Sequence, residues 1–442
     1  MRRPFWNAGI ETLAPEELRR LEDEALRRQL AYLATRSAFY ARKFAEAGVD
    51  PATIRSRADL PRLPFTEKDE LRANQETHPP LGNYLAAPRE QIVRLHKTSG
   101  TTGRPLFVGL TSHDLEVTHE IGARAFWAAG LGPGDTVVHC LNYQLWIGGL
   151  TDHLSLERTG ATVVPFGVGN SRDLVRTIQM LGINAISSTP SYLVHLITIV
   201  RDQLGLEPRE LGLRQGFFGG EPGLQNPAYR ARIEETWGMR AHDANYGMAD
   251  VLSIFGGECA ARAGLHFHGQ GSILAELIDP ETGASAPIEP GAMGELVYTH
   301  LDREAQPVLR YRSHDAVEIV GTGPCVCGRT SFRFQVLGLS DDMLHVRGVN
   351  VFPTAIAAVL AELAPAVSGE FQIVLDHAPP YDFLPLRVES ASEVPASALP
   401  ALAEQIASTL RQRLFFRAAI ELVPVGTLPR SQGKTARIVR SY

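Results

Sequence analysis

The sequence predicts an α/β protein: a large N-terminal domain of several subdomains, with parallel sheets and a β-rich part, and a small C-terminal α+β domain. Three observations lead to this class. The chain has 442 residues, which is long for a single hydrophobic core. Short apolar strands alternate with helical stretches up to residue 218, a pattern typical of βαβ units. After Gly338 the character of the chain changes, and enough residues remain for a separate domain.

The first long element expected is a helix from Pro15 to Ala47, since Pro15 suits the first helical turn and Glu16 and Glu17 follow it. Helical stretches then separate apolar strands at residues 136–140, 161–166, 185–188 and 214–218. From Gly271 onward, strands at 273–278 and 294–299 flank a turn-rich link, which indicates the β-rich part.

The C-terminal part predicts a compact α+β unit. Strands are expected at 343–346, 371–375, 384–388 and 420–423, with one helix opened by Pro353 and another carrying Leu402, Ile406 and Leu410 on one face. The domain boundary is therefore expected after residue 338, which gives domains 1–338 and 339–442.

The composition excludes several classes of protein. A net charge of −6 with a pI near 6.2 argues against a nucleic-acid-binding surface. No apolar run reaches the length of a membrane span, and the first seven residues lack the apolar stretch of a signal peptide. Four cysteines in a chain of this length are no disulfide framework, so a reducing, cytoplasmic location is expected.

A loop between His96 and Pro105 concentrates glycines, hydroxyl groups and positive charge. Apolar stretches at 91–95 and 106–110 flank it and predict a hairpin. Backbone N–H groups and hydroxyls in such a loop can hold phosphate oxygens, with Arg104 supplying charge. It lacks the Walker A spacing, and an ordinary polar turn remains the alternative. The candidate phosphate-binding residues are Thr98, Ser99, Gly100, Thr101, Thr102, Gly103 and Arg104.

The segment Thr-Ser-Gly-Thr-Thr-Gly-Arg-Pro resembles the phosphate loop of the acyl-adenylate-forming superfamily, which includes acyl- and aryl-CoA ligases, adenylation domains and luciferases. Within it, the chain is most similar to the phenylacetate–CoA ligases, which usually have lysine where this chain has Arg104. The resemblance implies ATP, Mg²⁺ and CoA as cofactors, and it implies that the small C-terminal domain is mobile.

Three further blocks resemble nucleotide-binding segments of this family. The segment Gly219-Gly220-Glu221-Pro222 follows a strand and would face adenine with Gly220, Glu221 and Pro222. By resemblance, Asn245, Tyr246, Gly247 and Met248 also contact the nucleotide, Asp250 binds Mg²⁺ and Asp315 accepts hydrogen bonds from ribose. Two departures from the pattern are Ala249, which has no hydroxyl, and Asp250, which replaces glutamate. For each block the alternative is an ordinary turn with a solvated acid.

The segment from Gly338 to Pro353 closely resembles the hinge block of phenylacetate–CoA ligases. By resemblance Asp341 is the hinge residue and Asn350 contacts the nucleotide, while Leu339 replaces an expected arginine. Near the C-terminus, Lys434 corresponds to the lysine that bridges the carboxylate and the α-phosphate as the adenylate forms. An ammonium suits that position because negative charge concentrates on the phosphate oxygens there. Without the resemblance, a surface lysine would be the default interpretation.

The cysteines suggest a structural zinc site. Cys259, His266, Cys325 and Cys327 could form a closed tetrahedral Cys₃His set. His268 competes with His266 for the fourth position, and buried cysteines without a metal are the alternative.

The acid-binding stretch is where the chain departs most from the family. Leu141, Asn142, Gln144 and Trp146, together with Gly219, are expected to line the acid pocket. Asn142 and Gln144 add amide groups, which favours a ring-substituted aromatic acid over phenylacetate. The alternative is that these amides bind only neighbouring backbone.

The sequence as a whole indicates an ATP- and Mg²⁺-dependent aryl-carboxylate–CoA ligase that forms an acyl-adenylate. Two alternatives stay open: transfer of the acyl group to a carrier protein or amine, and a nucleotide-binding protein with decayed catalysis. The expected partners are an aromatic acid, ATP and CoA, without nucleic acid or membrane. The oligomeric state is left open, a homodimer included.

Overall fold

The computed structural model describes residues 3–98, 105–221, 223–339, 342–347, 349–429 and 437–441. The chain divides into two compact units. Unit 1 comprises Met1–Gly220, Glu234–Ser313 and Val317–Gln335, and unit 2 comprises Glu221–Ile233, His314–Ala316 and Val336–Tyr442. The domain boundary expected after residue 338 stays a prediction.

Helices and strands of the described residues follow the chain in this order. The helices are α1 (Ala8–Glu11), α2 (Pro15–Arg36), α3 (Ala38–Glu46), α4 (Lys68–Thr77), α5 (Ser112–Ala129), α6 (Ile147–Arg158), α7 (Ser171–Leu181), α8 (Pro190–Thr198), α9 (Pro227–Trp237), α10 (Pro353–Glu362) and α11 (Leu399–Leu414). The strands up to the middle of the chain are β1 (Arg94–Lys97), β2 (Phe107–Leu110), β3 (Thr136–His139), β4 (Thr162–Pro165), β5 (Ala185–Ser188), β6 (Gln215–Gly219), β7 (Arg240–Met248), β8 (Leu252–Glu258), β9 (Leu265–Phe267) and β10 (Ile273–Ile278). The later strands are β11 (Ser285–Ala286), β12 (Met293–His300), β13 (Tyr311–Gly321), β14 (Arg333–Leu339), β15 (Leu344–Val346), β16 (Val349–Val351), β17 (Val367–Leu375), β18 (Leu384–Ser390), β19 (Ala418–Val423) and β20 (Ile438–Arg440).

Twelve of the described strands form one sheet, in the order β11-β10-β12-β13-β14-β9-β8-β7-β6-β5-β3-β4. The strands from β4 to β7 pair in parallel, whereas β7, β8, β9 and β14 pair antiparallel, as do β10, β11 and β12. The predicted α/β class, with a parallel part and a β-rich part, is confirmed.

The helix α5 covers the parallel part of the sheet. Thr111 caps its first turn: Thr111 Oγ1 accepts from Asp114 N at 3.1 Å, and Asp114 Oδ2 accepts from Thr111 N at 3.0 Å. Gly130 ends the helix with φ +119°, a conformation that glycine adopts without a Cβ clash. The apolar side chains of this helix pack with those of the strands and of α6, in a cluster of Ala125, Phe126, Ala129, Val137, Leu156, Phe217 and Ile254.

The prediction of one helix from Pro15 to Ala47 is wrong, because the chain breaks at Ser37 between α2 and α3. Ser37 has an extended backbone, and its side chain accepts a hydrogen bond from Tyr40 N, which starts a new helix. The predicted strand at 91–95 is shifted to Arg94–Lys97, because its partner β2 ends at Leu110, which pairs with Arg94.

Unit 2 has its own core around a four-stranded sheet, in the order β19-β18-β17-β20. The helices α10 and α11 pack on this sheet through Ile356, Leu360, Ile406 and Leu410, all of them buried against Phe371 and its neighbours. The predicted α+β composition of the C-terminal part is confirmed. Among the described residues, no helix is both long and apolar enough to cross a membrane.

Candidate active site

The carboxyl ends of the parallel strands gather the segments that the sequence singled out. Residues 140–146 follow β3, the helix α8 follows β5, Gly219 ends β6, and Asn245 lies near the end of β7. Strands that run in parallel end at the same edge of a sheet, where α/β proteins bind their ligands. These segments therefore lie at one edge of unit 1.

A glycine floor forms where β6 meets β7. A Cβ atom on Gly219 would lie 2.3 Å from the backbone oxygen of Asn245 and 2.4 Å from its Cβ, so only glycine fits. Gly220 follows with φ +80°, and a Cβ there would lie 3.8 Å from the indole of Trp146. The pairing of β6 with β7 shifts by one residue between Phe218 and Gly219, which brings Asn245 opposite Gly219.

Trp146 stands beside this floor and next to the stem of the phosphate-loop hairpin. Its ring would approach a Cβ on Gly148 to 2.9 Å. Lys97, at the end of β1, pairs with Trp146, and its N–H donates to the oxygen of Leu145 at 2.8 Å. Thr98 Oγ1 accepts from Leu106 N at 3.0 Å, which closes the stem. The predicted phosphate contacts Ser99, Gly100, Thr101, Thr102, Gly103 and Arg104 lie outside the described residues.

The two amide side chains predicted to contact the acid, those of Asn142 and Gln144, have surroundings unlike those of Trp146. Asn142 Oδ1 accepts from the backbone N–H of Gln144 at 2.8 Å, and the Gln144 side chain is exposed. Leu141 is buried. The Asn142 side chain thus serves neighbouring backbone, which is the alternative that the sequence left open, and its role in acid binding stays a prediction.

Two polar residues that the sequence did not single out, Asp152 and Ser253, meet Asn245 next to the glycine floor. Asp152 of α6 is 1% exposed, and its Oδ2 accepts from Asn245 Nδ2 at 2.6 Å. Ser253 of β8 donates to the other oxygen of Asp152. Burial raises the pKa of Asp152 to about 8, against the lowering effect of these hydrogen bonds. The only signal for Asp152 in the sequence was an acidic residue one helical turn after Gly148. Its partners lie about a hundred residues further along the chain, so their contact could not be predicted.

The proposed magnesium ligand Asp250 already has a cation beside it. Asp250 is 7% exposed, and its Oδ2 accepts from Lys68 Nζ and from the hydroxyl of Tyr311, both at 3.0 Å. Burial and the nearby carboxylate raise the pKa of Tyr311, which keeps this phenol a donor. Tyr246, which is predicted to contact the nucleotide, packs its ring edge-on against the ring of Phe255.

The remaining residues predicted to contact the nucleotide or to form the hinge are only partly described. In unit 1, Gly247 passes so close to β8 that a Cβ would lie 2.0 Å from the oxygen of Ser253, and Met248 ends β7. In unit 2, Glu221 is half-buried, Asp315 lies within β13 and Asn350 within β16. Pro222, Asp341 and Lys434 lie outside the described residues.

Three thiols and one imidazole meet where β8 and β9 approach residues 325–327. The ligand atoms of Cys259, His266, Cys325 and Cys327 all lie within 4.8 Å of one another. Cys259 Sγ is 3.8 Å from Cys325 Sγ, and His266 Nε2 is 3.6 Å from Cys327 Sγ. The other ring nitrogen of His266 bonds the hydroxyl of Ser331 at 3.0 Å, so the ring is oriented from outside the cluster.

The donor set of this cluster fits a tetrahedral metal ion. Three thiol sulfurs and one imidazole nitrogen are the ligands of closed structural zinc sites. Hydrogen bonding from Cys259 lowers the pKa of Cys327, which favours the thiolate, the form that binds metal. His268, the competing fourth ligand, is buried and donates instead to the oxygen of Gly257 at 3.2 Å.

Comparisons with known proteins identify the family of this chain. Residues 17–300 match the AMP-binding enzyme family, and residues 348–441 match the AMP-binding enzyme C-terminal domain. The chain is 39% identical to a phenylacetate-coenzyme A ligase of Thermus thermophilus, over 98% of this chain and 99% of that protein. It is 35% identical to the phenylacetate-coenzyme A ligase of Escherichia coli, over 97% and 96%. A crystal structure of 2-hydroxyisobutyryl-CoA ligase with a bound acyl-AMP superimposes with a TM-score of 0.90 at 32% identity, over 99% of this chain and 92% of that one.

The fold and these relatives together define an adenylate-forming enzyme. The chain belongs to the AMP-binding enzyme family, among its phenylacetate–CoA ligase-like members. It is an ATP-dependent acid–CoA ligase that works through an acyl-adenylate and releases AMP.

Replacing Lys68 by methionine should destabilise the fold, because it leaves the buried Asp250 carboxylate without its cation. Removing one partner of a fully buried pair costs about 3–5 kcal/mol. The Lys68 side chain is 32% exposed, so we expect about 1–3 kcal/mol in urea unfolding. Lys68→Arg, which keeps the charge, is the control. Equal stability of the two variants would mean that the ion pair contributes nothing.

Proposed function

We propose that the acid activated by this enzyme is aromatic and carries a polar substituent. The observation that supports this proposal is the indole of Trp146 beside the glycine floor of Gly219 and Gly220. We call these three residues the aromatic slot, since a ring face and residues without side chains suit a flat ring. The two relatives named as phenylacetate-coenzyme A ligases favour an aromatic acid as well. Polar side chains around the slot favour a substituted ring over a plain one.

The second candidate is a short hydroxy acid. It is motivated by the likeness to 2-hydroxyisobutyryl-CoA ligase, whose substrate is small and aliphatic and bears a hydroxyl group. Pyrophosphate release with phenylacetate, its hydroxylated forms and 2-hydroxyisobutyrate separates the two candidates. A kcat/KM highest for the aliphatic acid would overturn the aromatic proposal.

The proposed path of the reaction uses both ends of the chain. The acid carboxylate attacks the α-phosphate of ATP, the bond to pyrophosphate breaks, and CoA thiol then displaces AMP from the acyl-adenylate. We assign phosphate binding to residues 98–104, adenine contacts to Gly220–Pro222 and Asn245–Met248, and ribose binding to Asp315. Asp250 is the proposed Mg²⁺ ligand, since carboxylate is a hard ligand for this ion, and Mg²⁺ there would compete with the ammonium of Lys68.

The C-terminal domain, proposed to begin at residue 339, carries the lysine of the first half-reaction. Lys434 would neutralise charge on the phosphate oxygens as the adenylate forms, and Asp341 would be the hinge residue between the two half-reactions.

Lys434→Ala should lower adenylate formation about 10²–10³-fold, as is typical when one charge-stabilising donor is removed. Thioester formation from supplied acyl-adenylate should stay near the wild-type rate, because in that half-reaction the thiol attacks the acyl carbon and no bond to the α-phosphorus forms or breaks. Both half-reactions are measured separately, with Lys434→Arg as the charge-retaining control. Equal loss in the two half-reactions would assign Lys434 to general binding instead.

The Cys₃His cluster is proposed to hold one structural zinc ion. A closed set of four protein ligands leaves no open position, so the metal would support folding and take no part in the transfer chemistry.

Purified wild-type protein should therefore contain about one zinc per chain. Cys327→Ser should lose most of it and melt at a lower temperature, because one of the four ligands is gone. Cys140→Ser is the matched control, since Cys140 is a buried free cysteine outside the cluster. Metal analysis that finds no zinc in wild-type protein prepared without chelator refutes the site, and so does equal zinc in both variants.

A further inference from the structure

The one-residue shift between β6 and β7 gives Asn245 an unusual position. Gly219 pairs with Asn245, while the preceding Phe218 pairs with Asp243, so Ala244 is the extra residue of a bulge. Bulges re-aim side chains, and they occur next to active sites. Here the side chain of Asn245 packs over Gly219, whose Cβ position lies 2.9 Å from the carboxamide carbon.

Asp152 fixes which end of the Asn245 carboxamide is available. The amide nitrogen of Asn245 donates to Asp152 Oδ2 at 2.6 Å, and Ser253 donates to the other carboxyl oxygen. A carboxylate accepts hydrogen bonds, so the nitrogen must face it and the oxygen must point away. Within the described parts of the chain, no hydrogen bond engages that oxygen.

The same carboxyl group borders the aromatic slot. A Cβ on Gly148 would lie 3.2 Å from Asp152 Oδ2 and 2.9 Å from the indole of Trp146. Residues 148 and 152 are four apart on α6 and therefore face the same side. Trp146, Gly148, Asp152, Asn245 and Gly219 thus form one continuous wall within unit 1.

The structure points to Asn245 as the residue that reads the substituent of the acid, and to Asp152 as the residue that positions it. We propose that Asn245 Oδ1 accepts a hydrogen bond from a hydroxyl or amino group of the substrate acid. This inference rests on the proposed function. It reassigns the side chain of Asn245 from the nucleotide to the acid, and it moves the reading of the substituent from Asn142 and Gln144 to Asn245. Asn142 is engaged with backbone and Gln144 is exposed, whereas Asn245 is half-buried with an oriented acceptor.

A hydrogen-bond acceptor of this kind discriminates between substrate acids by whether their ring substituent can donate a hydrogen bond. A hydroxylated ring satisfies Asn245 Oδ1, while an unsubstituted or methoxy-substituted ring leaves it unpaired once water is excluded. An unsatisfied buried acceptor changes the ratio of kcat/KM values by about tenfold to a hundredfold.

The test compares phenylacetate, its three hydroxy isomers and 4-methoxyphenylacetate with wild type and four variants. Asn245→Ala removes the acceptor. Asp152→Leu and Asp152→Asn have similar size, but only the asparagine can still accept from Asn245 Nδ2 and so hold its orientation. Gln144→Gly tests the competing assignment. The readouts are kcat/KM for pyrophosphate release and, independently of turnover, the dissociation constant of each acid by calorimetry.

We expect the best hydroxy acid to lose about tenfold or more against phenylacetate in Asn245→Ala and in Asp152→Leu, by both readouts. Asp152→Asn should retain the wild-type preference, which a purely structural role of Asp152 would not predict. A preference unchanged in Asn245→Ala, or changed only in Gln144→Gly, overturns the inference. If wild type binds and activates none of the aromatic acids, the proposed function fails too; if it prefers the methoxy acid, only the inference fails.

Discussion

The close approach of β6 and β7 at Gly219 is the constraint on which the rest of the site depends. The backbone of Asn245 occupies the place that any side chain at residue 219 would need, so the two strands can meet only at a glycine. That contact fixes the bulge at Ala244, the bulge turns Asn245 toward Asp152, and Asp152 borders the slot beside Trp146. The pairing of Lys97 with Trp146 then ties the stem of the phosphate-loop hairpin to the same slot. One steric fact thereby helps to fix how the stem of the hairpin lies relative to Trp146 and the glycine floor.

This protein must bind anionic ligands through local positive or hydrogen-bonding groups, because its overall negative charge does not attract them. A net charge of −6 repels ATP and a carboxylic acid at long range, so these ligands must be held by short-range donors. The chain also has only four lysines, of which Lys43 pairs with Glu70 and Lys68 with Asp250. Lys97 lies in the hairpin stem, and Lys434 is the fourth. Two of the four lysines are therefore engaged in ion pairs within the fold.

The fold class was readable from the sequence because its signals are local. Apolar strands alternating with helices predicted a parallel sheet with the strands β3 to β6, and the change after Gly338 predicted a second α+β unit. The break at Ser37 was not predicted, because a single cap hydrogen bond to Tyr40 decides it within an otherwise continuous helical pattern. The polar group beneath the slot was missed for a different reason. Asp152, Asn245 and Ser253 come from three elements, and no local pattern marks their meeting.

Two buried carboxyl groups of this protein, those of Asp250 and Asp152, are stabilised in different ways. Asp250 is paired with Lys68, so its charge is neutralised by a cation that a metal ion would have to displace. Among the described residues no cation pairs with Asp152, and burial raises its pKa to about 8. Asp152 instead accepts hydrogen bonds from Asn245 and Ser253, which favour its charged form against the effect of burial. One buried acid is thus matched by a cation, and the other is matched by neutral donors, of which Asn245 takes its orientation from the pairing.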